Sequence, residues 1–294
     1  LAYSHDHDAT RSAIKIFQGR FGRVALLNMS TSLIGHAHHH CHFLIKVGGA
    51  DSAFRVRGQL TPLTQKQAVL VNAWEHHAYE HQSPEQTQIL ALYVEPSWLA
   101  EIQRSLVASG HPHFFMQSTA TLSEQMLKNV ESFLLEFWWS DEFSAARLEQ
   151  LLFDLVINII RSHSQWHELP QLMRMRPHVA KDPRIRHAMA LMQQEECQSL
   201  NAGDFAQQVG LSRAHFYTLF LRDVGVSPLI YANVLRFEAA VKRLSLNKEA
   251  VADIAHDLGF SASSHFSRFF REHLGITPRD YRQKVSLFDA VNRL

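Results

Sequence analysis

The sequence predicts an α+β chain of two domains: a β-rich N-terminal half with trailing helices, then an all-α half of two helix-turn-helix units joined by a linking helix. Three observations carry this prediction. Short apolar runs recur between residues 14 and 94, the apolar spacing turns helical from Pro96 onward, and one pattern near the C-terminus is written twice. A length of 294 residues also suits about two domains.

The β-rich half shows alternating or continuous apolar runs at residues 23–27, 43–47, 54–57, 68–71 and 88–94, set apart by turn residues such as Gly48, Gly49 and Pro62. Many short strands at such spacing point to a sandwich or small barrel. Pro96 starts a helix, and residues 124–139 and 144–162 read as two longer amphipathic helices. The next stretch is polar, with Pro170, Pro177 and Pro183 interrupting it and Arg174, Arg176 and Lys181 adding charge. The expected division is therefore a first domain at 1–162, a linker at 163–182 and a helical domain at 183–294, with helix reading to about Ala290.

The doubled pattern spans residues 204–231 and 253–281, the second copy carrying one extra residue just after Ser261. Asp204/Asp253, Ala206/Ala255, Gly210/Gly259 and Ser212/Ser261 pair before that insertion. His215/His265, Phe216/Phe266, Phe220/Phe270, Gly225/Gly275, Pro228/Pro278 and Tyr231/Tyr281 pair after it. Each copy reads as a short helix ended by a left-handed Gly, an apolar plug (Leu211, Phe260), a Ser N-cap (Ser212, Ser261) and a second helix with buried Phe residues. Helix, tight turn, capped helix is the arrangement that places its second helix in the DNA major groove. Two copies are too few for a solenoid, so a duplicated supersecondary unit is the reading.

Composition narrows the class. A hydrophobic share of 46% and a charged share of 19% are ordinary for a globular chain, and no apolar run reaches membrane-spanning length. The first ten residues, LAYSHDHDAT, lack a basic region followed by an apolar core, so no signal peptide is expected; because the chain starts on Leu, residues ahead of it are expected. Cys41 and Cys197 lie far apart and suit a reducing cytoplasm. A net charge of +1 requires any DNA role to come from local basic placement.

His36, His38, His39, His40 and His42 crowd into seven residues, with His76, His77 and His81 further on. On a strand, His36, His38, His40 and His42 would share one face, and converging imidazoles suit a divalent transition metal. The spacing His36-x-His38-x-x-x-His42, with a later His77, resembles the two metal motifs of cupins, which implies a cupin-like barrel with His36, His38, His42 and His77 as ligands. His42 stands where cupins usually have Glu, and the second motif lacks its usual Pro and Gly. Three readings stay open: a metal (zinc, nickel, iron or copper), an organic ligand without metal, or a solvated His-rich strand.

Over nearly its full length the chain resembles the AraC/XylS family of bacterial transcription regulators. The carrying residues are Gly210-Leu-Ser, Phe220 and Gly225-Val-Ser-Pro228, and more specifically Ile254-Ala255, Gly259-Phe-Ser, Phe270 and Gly275-Ile-Thr-Pro278-Arg-Asp-Tyr281. The resemblance implies an effector-controlled, DNA-binding activator that contacts RNA polymerase and dimerises near the end of its sensor domain. It implies that Arg213, Ala214, Tyr217 and Thr218 of the first unit face double-stranded DNA, as do Ser263, Ser264, Ser267 and Arg268 of the second. Arg236, Arg243, Arg271 and Arg282 are candidate phosphate partners. Arg268 is the favoured base reader, because a guanidinium grips guanine O6 and N7 together. The apolar stripe Leu148, Leu151, Leu152, Leu155 and Ile159 is the candidate homodimer contact, or packs within its own domain. The alternatives to an effector-controlled regulator are a metal sensor using the histidines, or a metal-dependent cupin enzyme in which Glu75 would be the proton-transfer group.

Overall fold

The computed structural model describes residues 12–111, 113–139, 145–164, 182–194, 202–246 and 248–288. The expected linker falls mostly on residues 165–181, which lie outside the described residues, as does Cys197.

Among the described residues two sheets form. The strands are β1 (Ser12–Gly19), β2 (Gly22–Met29), β3 (Cys41–Gly49), β4 (Ser52–Val56), β5 (Gln59–Leu63), β6 (Gln67–Val71), β7 (His77–Glu80), β8 (Thr87–Val94), β9 (Thr119–Thr121) and β10 (Val285–Phe288). One sheet runs β10-β1-β2-β8-β3-β6-β9 and the other β5-β4-β7. The large sheet is buried on both faces, which is why its strands read as near-continuous apolar runs. Val24, Leu26, Phe43, Leu90 and Leu92 face one side, packed under helices α1 (Pro96–Ile102), α2 (Glu124–Trp139) and α3 (Ala145–His163). Ala25, Leu27, Leu44, Ile89 and Ala91 face the other, towards Phe54, Val56 and Tyr79 of the small sheet.

Turn chemistry explains the hairpin of the small sheet. Val56 pairs with Gln59 across a two-residue turn in which Arg57 and Gly58 both have positive φ, the mirror-image turn whose twist matches that of the strands. Pro62 lies inside β5 rather than in a turn. β5 pairs only with β4 at the sheet edge, so a residue without an N–H is tolerated there.

The helical half comprises α4 (Pro183–Gln194), α5 (Ala202–Gln208), α6 (Arg213–Val224), the linking helix α7 (Pro228–Leu246), α8 (Val251–Asp257), α9 (Ser263–Leu274) and α10 (Pro278–Lys284). Both turns close in the same way. Gly210 and Gly259 take φ of 68° and 76°, and the next residue donates back to the helix, Leu211 N to Ala206 O at 2.8 Å and Phe260 N to Ala255 O at 3.0 Å.

Three expectations change. Helix does not continue to Ala290: Val285–Phe288 is a strand that pairs parallel with β1 in the register Ile16↔Val285, satisfying an otherwise open sheet edge. The leucine stripe is spent inside the chain, with Leu148, Leu152, Leu155 and Ile159 at most 1% exposed against the large sheet, so it offers nothing to a second copy. The caps differ as well. Ser212 caps α6 by accepting from His215 N, whereas the inserted residue makes Ala262 the N-cap of α9 and moves Ser261 one place outward, where its hydroxyl meets His265 Nδ1 at 2.9 Å.

Ser212→Ala is therefore expected to destabilise the chain by about 1 kcal/mol, and Ser261→Ala by less than about 0.5 kcal/mol, as read by urea unfolding of the full chain.

Candidate DNA-reading surface and the buried histidine cluster

On α6, Arg213, Ala214, Tyr217 and Thr218 are exposed while Phe216, Leu219 and Phe220 are buried behind them. On α9, Ser263, Ser264 and Arg268 are exposed and Ser267 is half-buried, with Phe266 and Phe270 behind. The recognition faces expected from helical spacing are thus open on both units. Thr218 Oγ1 donates to Ala214 O at 3.1 Å, so its hydroxyl is already used. The candidate phosphate partners divide. Arg271 is exposed, Arg282 is half-buried, and Arg236 lies with its guanidinium 5.2 Å from the Phe260 ring centre. Arg243 is held by Glu249 and, at 2.7 Å, by Asp257, which makes it a brace between α7 and α8 rather than an open cation.

The two units rest on different foundations. The first has its own core of Ile185, Phe205, Phe216, Phe220 and Tyr231, touched from the β-rich half by Trp74, whose ring stacks on Tyr231 at 4.9 Å. The second has no separate core. Phe237, Ile254, Phe266, Phe270, Leu274 and Tyr281 merge with the inner face of the large sheet into one apolar cluster. Tyr281, the repeat partner of Tyr231, donates to Gln18 Oε1 at 2.7 Å, and Ser245 Oγ donates to the same oxygen at 2.8 Å.

The histidines sit at this junction. His36, His38, His42 and His77 are each 6% exposed or less. They do not lie along one strand. β3 begins only at Cys41, and the preceding arm is irregular, touching β7 through a single His36↔His77 bridge. His40 consequently turns away from the other three, its Nε2 lying 2.9 Å from Glu95 Oε1. His36, His38 and His77 each bring one ring nitrogen within 4.8 Å of the others. The His42 ring centre lies 5.5 Å from His38 and 5.4 Å from His77. His36 Nδ1 donates to Ile34 O and His77 Nδ1 to Glu75 O, each at 2.9 Å, leaving both Nε2 atoms as lone pairs. His77 Nε2 and both ring nitrogens of His38 and of His42 are buried without a hydrogen-bond partner. Burial and the neighbouring imidazoles hold His36, His38 and His42 well below the usual histidine range, and burial lowers His77 to about 4, so all four are neutral near pH 7. Neutral, convergent imidazoles with aimed lone pairs are the donor set for a borderline transition metal, and the residues fit such an ion.

Glu75 does not serve this cluster. Its carboxylate pairs with Arg57 and accepts from Asn72 N at 2.9 Å.

Sequence reasoning missed a second group at the same junction. Arg23, 2% exposed, lies 4.2 Å from the Tyr93 ring centre and 5.5 Å from that of Phe237. Burial pushes Arg23 down, but the carboxylate of Glu238 on α7 together with Tyr281 and Tyr93 more than compensates and keeps it charged. Glu238 also lies 3.9 Å from His40 and 4.0 Å from His39, whose Nε2 lies 3.0 Å from Glu95. A charged residue inside an apolar β run was the only sequence signal for Arg23.

A family profile described as a helix-turn-helix domain matches residues 205–284. An uncharacterised helix-turn-helix regulator of Haemophilus influenzae is 26% identical over 158 residues, covering 54% of this chain and 52% of that protein, so this match spans about half the relative's length. The transcriptional activator RhaS of Shigella sonnei is 23% identical over 257 residues, covering 84% of this chain and 86% of RhaS. The structure of ToxT from Vibrio cholerae superposes with a TM-score of 0.54 at 11% identity, covering 90% of this chain and 98% of ToxT, which is a likeness of fold. A ToxT structure described as bound to unsaturated fatty acid gives 0.53 at 12% identity, covering 96% and 98%.

A β-rich domain fused to two in-register helix-turn-helix units, each with an open recognition face, defines a DNA-binding transcription regulator. Its residues 205–284 match a helix-turn-helix family model, and over most of its length the chain is similar to the transcriptional activator RhaS. The curated relatives reported above are transcriptional regulators, and no helix among the described residues is long and apolar enough to cross a membrane.

Glu238→Ala should leave Arg23 buried beside two aromatic rings without its counter-charge. A loss of about 2 kcal/mol in urea unfolding is expected, below the usual buried-pair figure because Glu238 is partly solvated.

Proposed function

We propose that the chain is a cytoplasmic transcription activator in which an effector bound by the N-terminal barrel controls how the second helix-turn-helix unit engages DNA. One observation carries this reading: the space between the two sheets and the second unit share a single apolar core, so a change between the sheets acts on the reader without an intervening relay. The likeness to RhaS, an activator by its name, and to ToxT, one structure of which holds a fatty acid, supports activation and effector binding respectively. The proposed division remains 1–162 for the sensor, 163–182 for the linker and 183–294 for the reader, and RNA polymerase is the proposed partner of the DNA-bound form.

In this reading Arg213, Ala214, Tyr217, Thr218, Ser263, Ser264, Ser267 and Arg268 meet base edges, and Arg236 supports the backbone contact. With its hydroxyl turned to Ala214, Thr218 presents its methyl group, which suits thymine rather than a hydrogen-bonded base. Homodimerisation falls to the apolar pair still exposed on α2, Leu135 and Trp138, at 60% and 50%. Replacing both with Glu should turn a dimer into a monomer in sedimentation; an unchanged mass would remove that contact.

Gel-shift titration at physiological salt tests the regulator itself. Binding without sequence preference would overturn it. Arg268→Ala should weaken specific binding by about 1–3 kcal/mol, roughly 10- to 100-fold, and Thr218→Ala by markedly less. Equal losses would contradict the assigned roles.

A further inference from the structure

We propose that His36, His38 and His77, with His42 alongside, bind one divalent transition metal ion of the zinc class, and that its occupancy sets the seating of the second helix-turn-helix unit. This rests on the regulator reading above and names its effector class.

The first support is the set of orphaned nitrogens. Leaving buried ring nitrogens unpaired is costly, and here five of them, on the rings of His38, His42 and His77, gather in one place. A neutral imidazole carries one lone pair, so an ion can take one nitrogen from each of these rings and relieve that part of the cost. The second is orientation. The Ile34 and Glu75 carbonyls hold the Nδ1–H of His36 and His77, which is the outer hydrogen bond that fixes tautomer and ring direction in histidine metal sites. The third is space. The cavity between His36, His42, His77, Tyr79, Tyr93 and Leu274 has a volume of about 20 Å³, room for a single water or ion. Organic ligands occupy pockets of roughly 300 Å³ or more.

The coupling follows from what the rings touch. The His36 ring centre lies 5.7 Å from that of His273 on α9, the second recognition helix, and His38 lies 6.0 Å from Phe237 on the linking helix. His273 itself stacks on Phe237 at 5.4 Å. His38 O accepts from Trp74 N at 2.6 Å, and Trp74 stacks on Tyr231 beneath the first unit. Trp74 holds a positive φ of 63°, a strained conformation for a bulky residue that the surrounding contacts must maintain. Drawing His36 and His38 onto an ion moves the surface on which both helices rest.

The test uses the full chain, stripped with chelator and titrated with zinc chloride. Native mass spectrometry should find one zinc per chain, and zinc should raise the melting temperature of the wild-type protein. His38→Ala and His77→Ala should each lower zinc affinity at least roughly 100-fold, beyond the loss of a supporting outer partner. His38→Gln, which keeps bulk and polarity, should do the same while preserving the circular dichroism spectrum. On a DNA fragment selected by the chain from a random pool, zinc should change affinity at least about 5-fold, the lower edge of ordinary allosteric coupling. Trp74→Phe should abolish any zinc-dependent change in fluorescence. Absence of stoichiometric zinc, or equal zinc binding by the His38 and His77 variants, overturns the site, and intact DNA selection in that case leaves the regulator standing. Stoichiometric zinc with unchanged DNA affinity overturns the coupling, and failure of both metal forms to select any DNA sequence overturns the regulator reading while the metal site stands.

Discussion

The ring of Phe237 is the contact on which the joining of the two halves depends. It lies within 6.0 Å of His38, within 5.5 Å of the Arg23 guanidinium, 5.2 Å from Phe270 and 5.4 Å from His273. Those neighbours are His38 of the buried histidine cluster and the Arg23 cation of the β-rich half on one side, and the inner face of the second recognition helix on the other. A ring of this size contributes several kcal/mol when fully buried, and here that burial exists only while both halves are in place. Dissociation of the second unit would expose the inner face of the large sheet as well as the back of α9.

From that constraint the inequality of the two reading units follows. The first unit completes a core of its own with α4 and meets the sensor at Trp74 and Tyr231. The second borrows its core from the inner face of the large sheet, and the strand that follows it is stitched to β1. The repeat in sequence is thus a repeat of local geometry, turn for turn, on which two different tertiary roles are built. His273 illustrates the difference: its counterpart in the first copy is Asp223, which accepts from Asp182 N at 2.8 Å, whereas His273 faces the histidine cluster.

Charge at the junction is arranged on the same principle. Arg23 stays ionised between Tyr93 and Phe237 because Glu238 answers it from the other half, and Glu238 with Glu95 brackets His39 and His40. A buried charge with its partner on another domain is a weak source of stability but a strict determinant of register, since any other docking leaves it unanswered.

Much of this was legible from residues alone where the causes are local. The turn at Gly210 and Gly259, the open faces of α6 and α9, and the bounds of Glu124–Trp139 follow from helical periodicity and from a backbone angle that glycine adopts cheaply. The gathering of His36, His38, His42 and His77 was also legible as a spacing. The tertiary structure decided what depends on distant partners. His40 leaves the cluster because the arm before Cys41 has no strand period to keep it there. Pro62 enters β5 because that strand is an edge. Val285–Phe288 becomes a strand because β1, more than 260 residues earlier, offers it an edge, as Gln18 offers Tyr281 a carbonyl oxygen across 263 residues. Windows of a dozen residues carry no information about such partners, so the sequence by itself determined the parts and their chemistry. Packing determined that the histidines and the second reader share one interior.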